Sequence, residues 1–348
     1  MDRYEENLKC SLQVIAKKLS AKEKGILAAD ESIKTIGKRF KNICENNFEN
    51  RTRYRNLLFT TPDLEKYISG VILFEETITA KINGENIIDN LKKKNIIIGY
   101  KADQGLVNLS GTNSENITQG LDNLDERLKK VKKHGVLFTK WRCTFNIKDL
   151  ENPSEMAIDQ NLNTLCRFAY LSQRNGMVPI IEPEVLADGN HTEHRSYDVT
   201  LSILSKLYGK LNAHKVILSG TLLKPNVIRP GAFNEELYES FEDIIPTLSG
   251  LTVRALQNSV PLTVPGIMFL SGGLGEEPSA EILNEMNKME TNKPWRLSFS
   301  YGRALQESCL KTWNGEDENI ESAQKQLIDK AKKNSFASMG KLDLLVQK

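Results

Sequence analysis

A short apolar, β-branched run that ends in charged residues or glycine occurs eight times in this chain, and that recurrence limits its fold more than any other feature. In order the runs are GILAAD (25–30), GVILFEE (70–76), IIIGYKAD (96–103), VLFTKWR (136–142), VPIIEPE (178–184), KVILSGTLLK (215–224), GIMFLSGG (266–273) and WRLSFSYGR (295–303). Each has the length of a strand buried on both faces, where hydrophobic residues continue without alternating. The segments between them carry helical periodicity. Leu121, Leu124, Leu128 and Val131 share one face of 121–133, which His134-Gly135 ends. Ser154 opens a helix with a stripe of Leu162, Leu165, Phe168 and Ala169, stopped by Gly176. Residues 197–211, 278–289 and the C-terminal 317–333 repeat the pattern, and Leu8, Leu12, Ile15 and Leu19 do so within 3–19. Strand and helix alternating eight times predict an α/β fold, a (β/α)8 TIM barrel. It would span 1–348 as a single domain, with barrel strands over about 25–303 and extra N- and C-terminal helices. The rival is a doubly wound sheet, marked by G-x-G-x-x-G after the first strand. GILAADES lacks that motif, and Gly272-Gly273-Leu274-Gly275 comes late with the wrong spacing.

Charge and hydropathy remove several function classes. Lys+Arg 47 against Asp+Glu 45 leaves +2, so no strong field is aimed at nucleic acid or acidic lipid. No run approaches the ~18 apolar residues of a membrane span. The first twenty residues alternate charge and hydrophobe and form no signal-peptide core. The five cysteines are scattered with no C-x-x-C, which argues against a disulfide framework or a zinc finger. These features predict a cytoplasmic protein without nucleic-acid partners or membrane insertion.

In a barrel of this kind the active site lies at the C-terminal ends of the strands. Here those ends carry Asp30, Glu75, Lys101 with Asp103, Lys140 with Arg142, Glu182 with Glu184, Lys224, Ser271 and Arg303. Residues i and i+2 of a strand share a face, so three of these are same-face charged pairs. If they point inward, acids and bases converge on one mouth.

Three chemistries fit that mouth poorly. Metal catalysis calls for several His or carboxylate ligands, but of four histidines His134 and His214 fall at barrel-bottom positions. His191-x-x-His194 lies in a polar loop, which favours a surface role. Acyl transfer lacks a G-x-S-x-G elbow, and Cys143 has no evident base. Amine chemistry remains. A lysine at an apolar strand end beside a second cation can lose its proton near neutral pH. Lys224 in Thr221-Leu222-Leu223-Lys224-Pro225 suits this, with Lys140 as the second cation. Ser271-Gly272-Gly273 offers N–H groups, a hydroxyl and permissive backbone, and Gly302-Arg303 adds a forked cation. Together they would form a phosphate site at the usual position in this fold, against the alternative of a plain glycine turn.

The motifs GILAADES (25–32), ILFEET (72–77), KWRC (140–143), IIEPE (180–184), GTLLKPN (220–226), FLSGG (269–273) and FSYGRAL (299–305) resemble, in order, those of class I fructose-bisphosphate aldolase. The similarity extends over essentially the whole chain. The resemblance implies reversible cleavage of fructose 1,6-bisphosphate to dihydroxyacetone phosphate and glyceraldehyde 3-phosphate through a lysine Schiff base, with no metal or other cofactor. It implies that Lys224 forms the Schiff base and Glu182 transfers protons during carbinolamine dehydration. Lys140 lies beside the nucleophile, and Asp30 assists proton transfer and binding. Ser271, Gly272, Gly302 and Arg303 would bind the ketone-side phosphate; Lys101, Ser32, Thr35 and Arg39 would meet the second. Gly273, Ser300, Arg142 and Glu184, in the same motifs, complete the substrate-binding set. The family also implies a homotetramer and a secondary actin-type cytoskeletal partner.

Four departures stand out. Gln104 occupies a position where the family usually has Lys, Ser219 replaces a common acid, and Ile33 follows Ser32 where Thr is usual. Leu344-Leu345-Val346-Gln347-Lys348 holds no terminal Tyr, so turnover slower than the family norm is expected wherever proton exchange on the enamine limits it. Two alternatives remain open: a Schiff-base enzyme that prefers fructose 1-phosphate, and a scaffold whose basic mouth receives acidic peptide.

Overall fold

The structure, a computed structural model, describes residues 3–149, 151–235 and 240–346. Among the described residues eight parallel strands close a barrel in strict sequence order. They are β1 (Gly25–Ala29), β2 (Ile68–Leu73), β3 (Ile97–Lys101), β4 (Phe138–Phe145), β5 (Val178–Val185), β6 (Leu222–Leu223), β7 (Gly266–Phe269) and β8 (Arg296–Tyr301). The longer helices are α1 (Arg3–Leu19), α2 (Ile33–Phe40), α3 (Phe48–Thr60), α4 (Leu124–Lys132), α5 (Glu155–Arg174), α6 (Glu193–Ala213), α7 (Phe241–Ser259), α8 (Glu276–Lys288), α9 (Arg303–Trp313) and α10 (Ile320–Ala337). The TIM barrel and both extra terminal helices predicted from the sequence are present. The C-terminal Gln347 and Lys348 lie outside the described residues.

Three local expectations are corrected. The sixth run does not form one long strand: Lys215 adopts a left-handed backbone, Leu218–Gly220 wind into a 3-10 turn, and only Leu222–Leu223 pair. The helix expected over 121–133 starts at Leu124 because Asn123 is left-handed. The C-terminal helix runs to Ala337 after a 3-10 turn at Asp317–Asn319. Ser154 does cap α5, accepting from the Ala157 N–H at 3.1 Å.

The barrel interior explains where the charge goes. Ile26, Ile72, Phe138, Val178, Ile180, Leu222 and Met268 fill its lower half, and Leu12, Ala16 and Leu19 of α1 close the bottom. Phe138 takes so much of that space that a Cβ on Gly99 would sit 2.2 Å from its ring. Two residues further up the same strand faces come Lys101, Lys140, Glu182 and Lys224. The register pairs Lys101 with Lys140 and Arg142 with Glu182. The opposite strand faces, including Leu27, Val71, Ile98, Trp141, Ile181, Leu223 and Phe269, pack into the main hydrophobic core. An apolar plug therefore holds a charged layer at the C-terminal mouth.

Candidate active site

That mouth opens into a cavity of about 570 Å³. Every residue singled out in the sequence for catalysis or phosphate binding lines it. Cations outnumber carboxylates seven to five among the lining residues, a balance suited to an anionic ligand.

At its floor five charged groups form one cluster. Lys140 Nζ lies 2.9 Å from Asp30 Oδ2 and 3.1 Å from Glu182 Oε2, with Asp103 Oδ2 at 3.9 Å. Lys224 Nζ lies 3.2 Å from Glu182 Oε1, so Glu182 bridges the two lysines. The Lys224 N–H donates to the Ile181 carbonyl at 2.8 Å, which locks its backbone one residue from Glu182. All five side chains are buried. Burial alone would push the Asp30 carboxyl up, but Lys140 and Lys224 overcome this and hold it well below the usual carboxylate range. Glu182 is likewise lowered against its burial by Lys140, Lys224 and Arg142. Burial works against the charge on Lys140 too, yet Asp30, Glu182 and Asp103 keep it protonated well above the ordinary lysine value. Lys140 is thus a fixed cation, and in the resting site the carboxylates on either side of it are ionised.

The ends of β7 and β8 and the loops after them line the cavity with Ser271, Gly272, Gly273, Ser300, Gly302 and Arg303. Gly272 and Gly273 have φ of 53° and 88°, a backbone that glycine adopts without strain. Ser300 Oγ is buried and has no hydrogen-bond partner among the described residues, which leaves it available to an incoming oxygen. After β1, the strand next to β8, Ser32 caps α2, its Oγ accepting from the Thr35 N–H and lying 3.0 Å from Thr35 Oγ1. Lys101 is paired with Asp103, and Arg142 with Glu184.

Glu31 is a site residue that the sequence did not disclose. Its carboxylate pairs with Arg39 and with buried Arg55, and Gln306 Nε2 donates to it at 3.1 Å. Gln306 also donates to the Ala28 carbonyl at 2.7 Å, fastening β1 to α9. The position of Glu31 beside Asp30 was the only available signal, since its partners come from distant elements. Glu31→Gln is expected to leave Arg55 buried and unpaired, costing about 3–5 kcal/mol; urea unfolding measures it. A smaller loss than ~1 kcal/mol would show that Arg55 finds another partner.

Cys143 faces away from the cavity, its Sγ donating to the Asn161 carbonyl at 3.6 Å, and burial pushes its thiol up to about 12. His191 corrects an expectation: it is buried rather than at the surface. Its loop folds beneath the 231–233 segment, whose Gly231 N–H donates to the His191 carbonyl at 2.8 Å. His194 is exposed, as expected. Among the described residues no three His, Cys, Asp or Glu side chains gather as metal ligands. The three internal sequence departures lie off the cavity. Ser219 accepts from Gln13 beneath the barrel at 2.9 Å, and Ile33 and Gln104 are exposed.

A family model described as fructose-bisphosphate aldolase class-I matches residues 11–347. The chain belongs to that family. It is 50% identical over 343 residues to fructose-bisphosphate aldolase 2 of Caenorhabditis elegans, covering 98% of this chain and 92% of the relative. It is 49% identical over 320 residues to the cytoplasmic isozyme of Spinacia oleracea, covering 91% and 88%. Among solved aldolases, the Plasmodium falciparum enzyme in complex with TRAP and a small-molecule inhibitor superposes with a TM-score of 0.92. The identity there is 44%, over 96% of each chain. As a class I fructose-bisphosphate aldolase, the protein cleaves fructose 1,6-bisphosphate reversibly through a lysine Schiff base and without a metal.

Proposed function

We propose that Lys224 is the Schiff-base lysine and that Glu182, Lys140 and Asp30 manage its protons. One observation carries this: Lys224 and Lys140 share the Glu182 carboxylate, at 3.2 and 3.1 Å, on the cavity floor. Among the described residues Lys140 pairs with Asp30 as well as Glu182, whereas Lys224 pairs with Glu182 alone, so Lys224 is the one that gives up its proton, to Glu182. The freed amine adds to the C2 ketone. Glu182 returns the proton to the carbinolamine hydroxyl, which leaves as water, and an iminium remains. Glu182, again a carboxylate, then takes the C4 hydroxyl proton as the C3–C4 bond breaks. The electron pair of that bond moves into the iminium and gives an enamine, while C4 leaves as the aldehyde of glyceraldehyde 3-phosphate. Protonation at C3 and hydrolysis release dihydroxyacetone phosphate and regenerate Lys224. Asp30, ion-paired to Lys140, orients substrate hydroxyls beside it.

Ser271, Gly272, Gly273, Ser300, Gly302 and Arg303 bind the ketone-side phosphate. Ser32, Thr35, Arg39 and Lys101 bind the other, while Arg142 and Glu184 line the sugar between them. Cations in both residue sets, Arg303 in one and Arg39 with Lys101 in the other, favour a bisphosphate over fructose 1-phosphate. The chain acts as one domain, as a homotetramer in the cytosol, where relatives are named cytoplasmic or cytosolic. An actin-type partner at the basic mouth is a secondary role. Borohydride reduction with dihydroxyacetone phosphate, followed by peptide mapping, tests the central assignment. The label is expected on Lys224, and a label elsewhere would overturn it.

A further inference from the structure

The residues after β6, from Pro225 to Gly231, are all buried, and they reach across to the loop after β7. The Leu270 N–H donates to the Pro225 carbonyl at 3.0 Å, just before the glycines. Arg229 Nη1 donates to the Gly272 carbonyl at 3.0 Å. Arg303 Nη2 donates to the next carbonyl, that of Gly273, at 2.7 Å. Two guanidiniums therefore hold consecutive carbonyls of the same loop. Arg303 lines the cavity, whereas Arg229 stands behind the loop and does not.

The consequence follows from peptide geometry. In a planar trans peptide the C=O of Gly272 and the N–H of Gly273 point in opposite directions. Fixing that carbonyl outward on Arg229 turns the Gly273 N–H the other way, toward the cavity that Gly273 lines. Among the described residues, neither the Gly272 nor the Gly273 N–H donates to a protein acceptor. Both glycines have positive φ and could otherwise rotate at little cost. The same buried segment is anchored to β5, because Asn226 Oδ1 accepts from the Val185 N–H at 2.8 Å. The phosphate loop is thus fastened to the segment that follows Lys224.

We propose that Arg229 is a positioning residue for the ketone-side phosphate: it clamps the Gly272–Gly273 peptide with its N–H aimed at a phosphomonoester on the carbon beside the ketone. This rests on the assignment of the Ser271–Gly273 loop and Arg303 to that phosphate. The aldol-forming direction separates the two phosphates, since dihydroxyacetone phosphate uses this loop and Arg303 whereas glyceraldehyde 3-phosphate uses the Ser32, Thr35, Arg39 and Lys101 set. Arg229→Met is expected to raise KM for dihydroxyacetone phosphate about tenfold, the order of one charged hydrogen bond, with KM for glyceraldehyde 3-phosphate unchanged. Arg229→Lys keeps one donor and gives a smaller rise in the same KM alone; it decides the matter if Arg229→Met does not fold. An unchanged KM for dihydroxyacetone phosphate, an equal rise in both KM values, or a fall in kcat alone would overturn the proposal. Arg303→Ala is the control. If it raises KM for dihydroxyacetone phosphate and the Arg229 variants do not, only the role of Arg229 fails. If Arg303→Ala leaves that KM unchanged, the phosphate assignment itself is wrong.

Discussion

Lys224→Met is expected to lower kcat by at least about 10⁴-fold, the scale seen when an enzyme loses its covalent nucleophile. Methionine keeps most of the apolar stem and removes the amine. Asp30 and Glu182 both retain Lys140, so the cluster loses one ion pair rather than its central cation. Stability should fall much less than activity. Lys224→Arg separates charge from chemistry. A guanidinium preserves the positive charge beside Glu182 but stays protonated at any working pH, so it cannot add to a ketone. Both variants should be inactive, and neither should be labelled by borohydride with dihydroxyacetone phosphate. Circular dichroism and thermal unfolding would show that the fold persists. Undiminished labelling in Lys224→Met would mean that another lysine carries the intermediate, with Lys140 the first candidate.

Strand number, barrel closure and the convergence of charge were legible in the sequence because strand periodicity is strict. A buried parallel strand shows its residues to only two faces, so Lys140 with Arg142 and Glu182 with Glu184 had to share one. Other features left no such mark. α2, α3, α7 and α9 were not read from periodicity; α3, for one, buries Arg51, Tyr54 and Arg55 among its apolar residues and carries no clean stripe. The run at 215–221 has strand composition, yet it turns at left-handed Lys215 and passes under the barrel. Propensity there yields to the need to bring Lys224 up at the right height. Glu31, Arg55 and Gln306 form a buried network from three separate elements, and single residues at such distances produce no motif. Arg229 was silent for the same reason: its partner is a carbonyl forty-three residues away.

Lys140→Met should be the most damaging change to the stability of the site. Lys140 contacts both Asp30 and Glu182, and among the described residues no other cation forms an ion pair with both. Its loss leaves the buried carboxylates with Lys224 and the more distant Lys101 and Arg142, at a cost of about 3–5 kcal/mol at pH 8. The pH dependence distinguishes charge from packing. In the native protein Asp30 and Glu182 are held below their ordinary range. Their stabilisation is therefore present above the unfolded carboxylate values, about 4, and disappears only as pH falls through the lower folded ones. Lys140 is held above its ordinary range, so its share is complete below about 10.4 and is lost as pH rises through the folded value. Between about pH 5 and 9 the native cluster should contribute a constant amount. In Lys140→Met, burial acts on Asp30 with less opposition and raises its folded value above the unfolded one. The sign then reverses: the variant gains stability as pH falls through that raised value, because a protonated carboxyl no longer has to be buried as an ion. Urea unfolding from pH 5 to pH 8 should show the gap to the native protein narrowing toward acid. A gap of constant size would mean that the loss is one of packing alone. kcat should fall by about 10²- to 10⁴-fold, the usual contribution of placed proton transfer. Without Lys140 the Glu182 carboxyl becomes more basic, retains the proton taken from Lys224, and releases it too slowly to the carbinolamine hydroxyl.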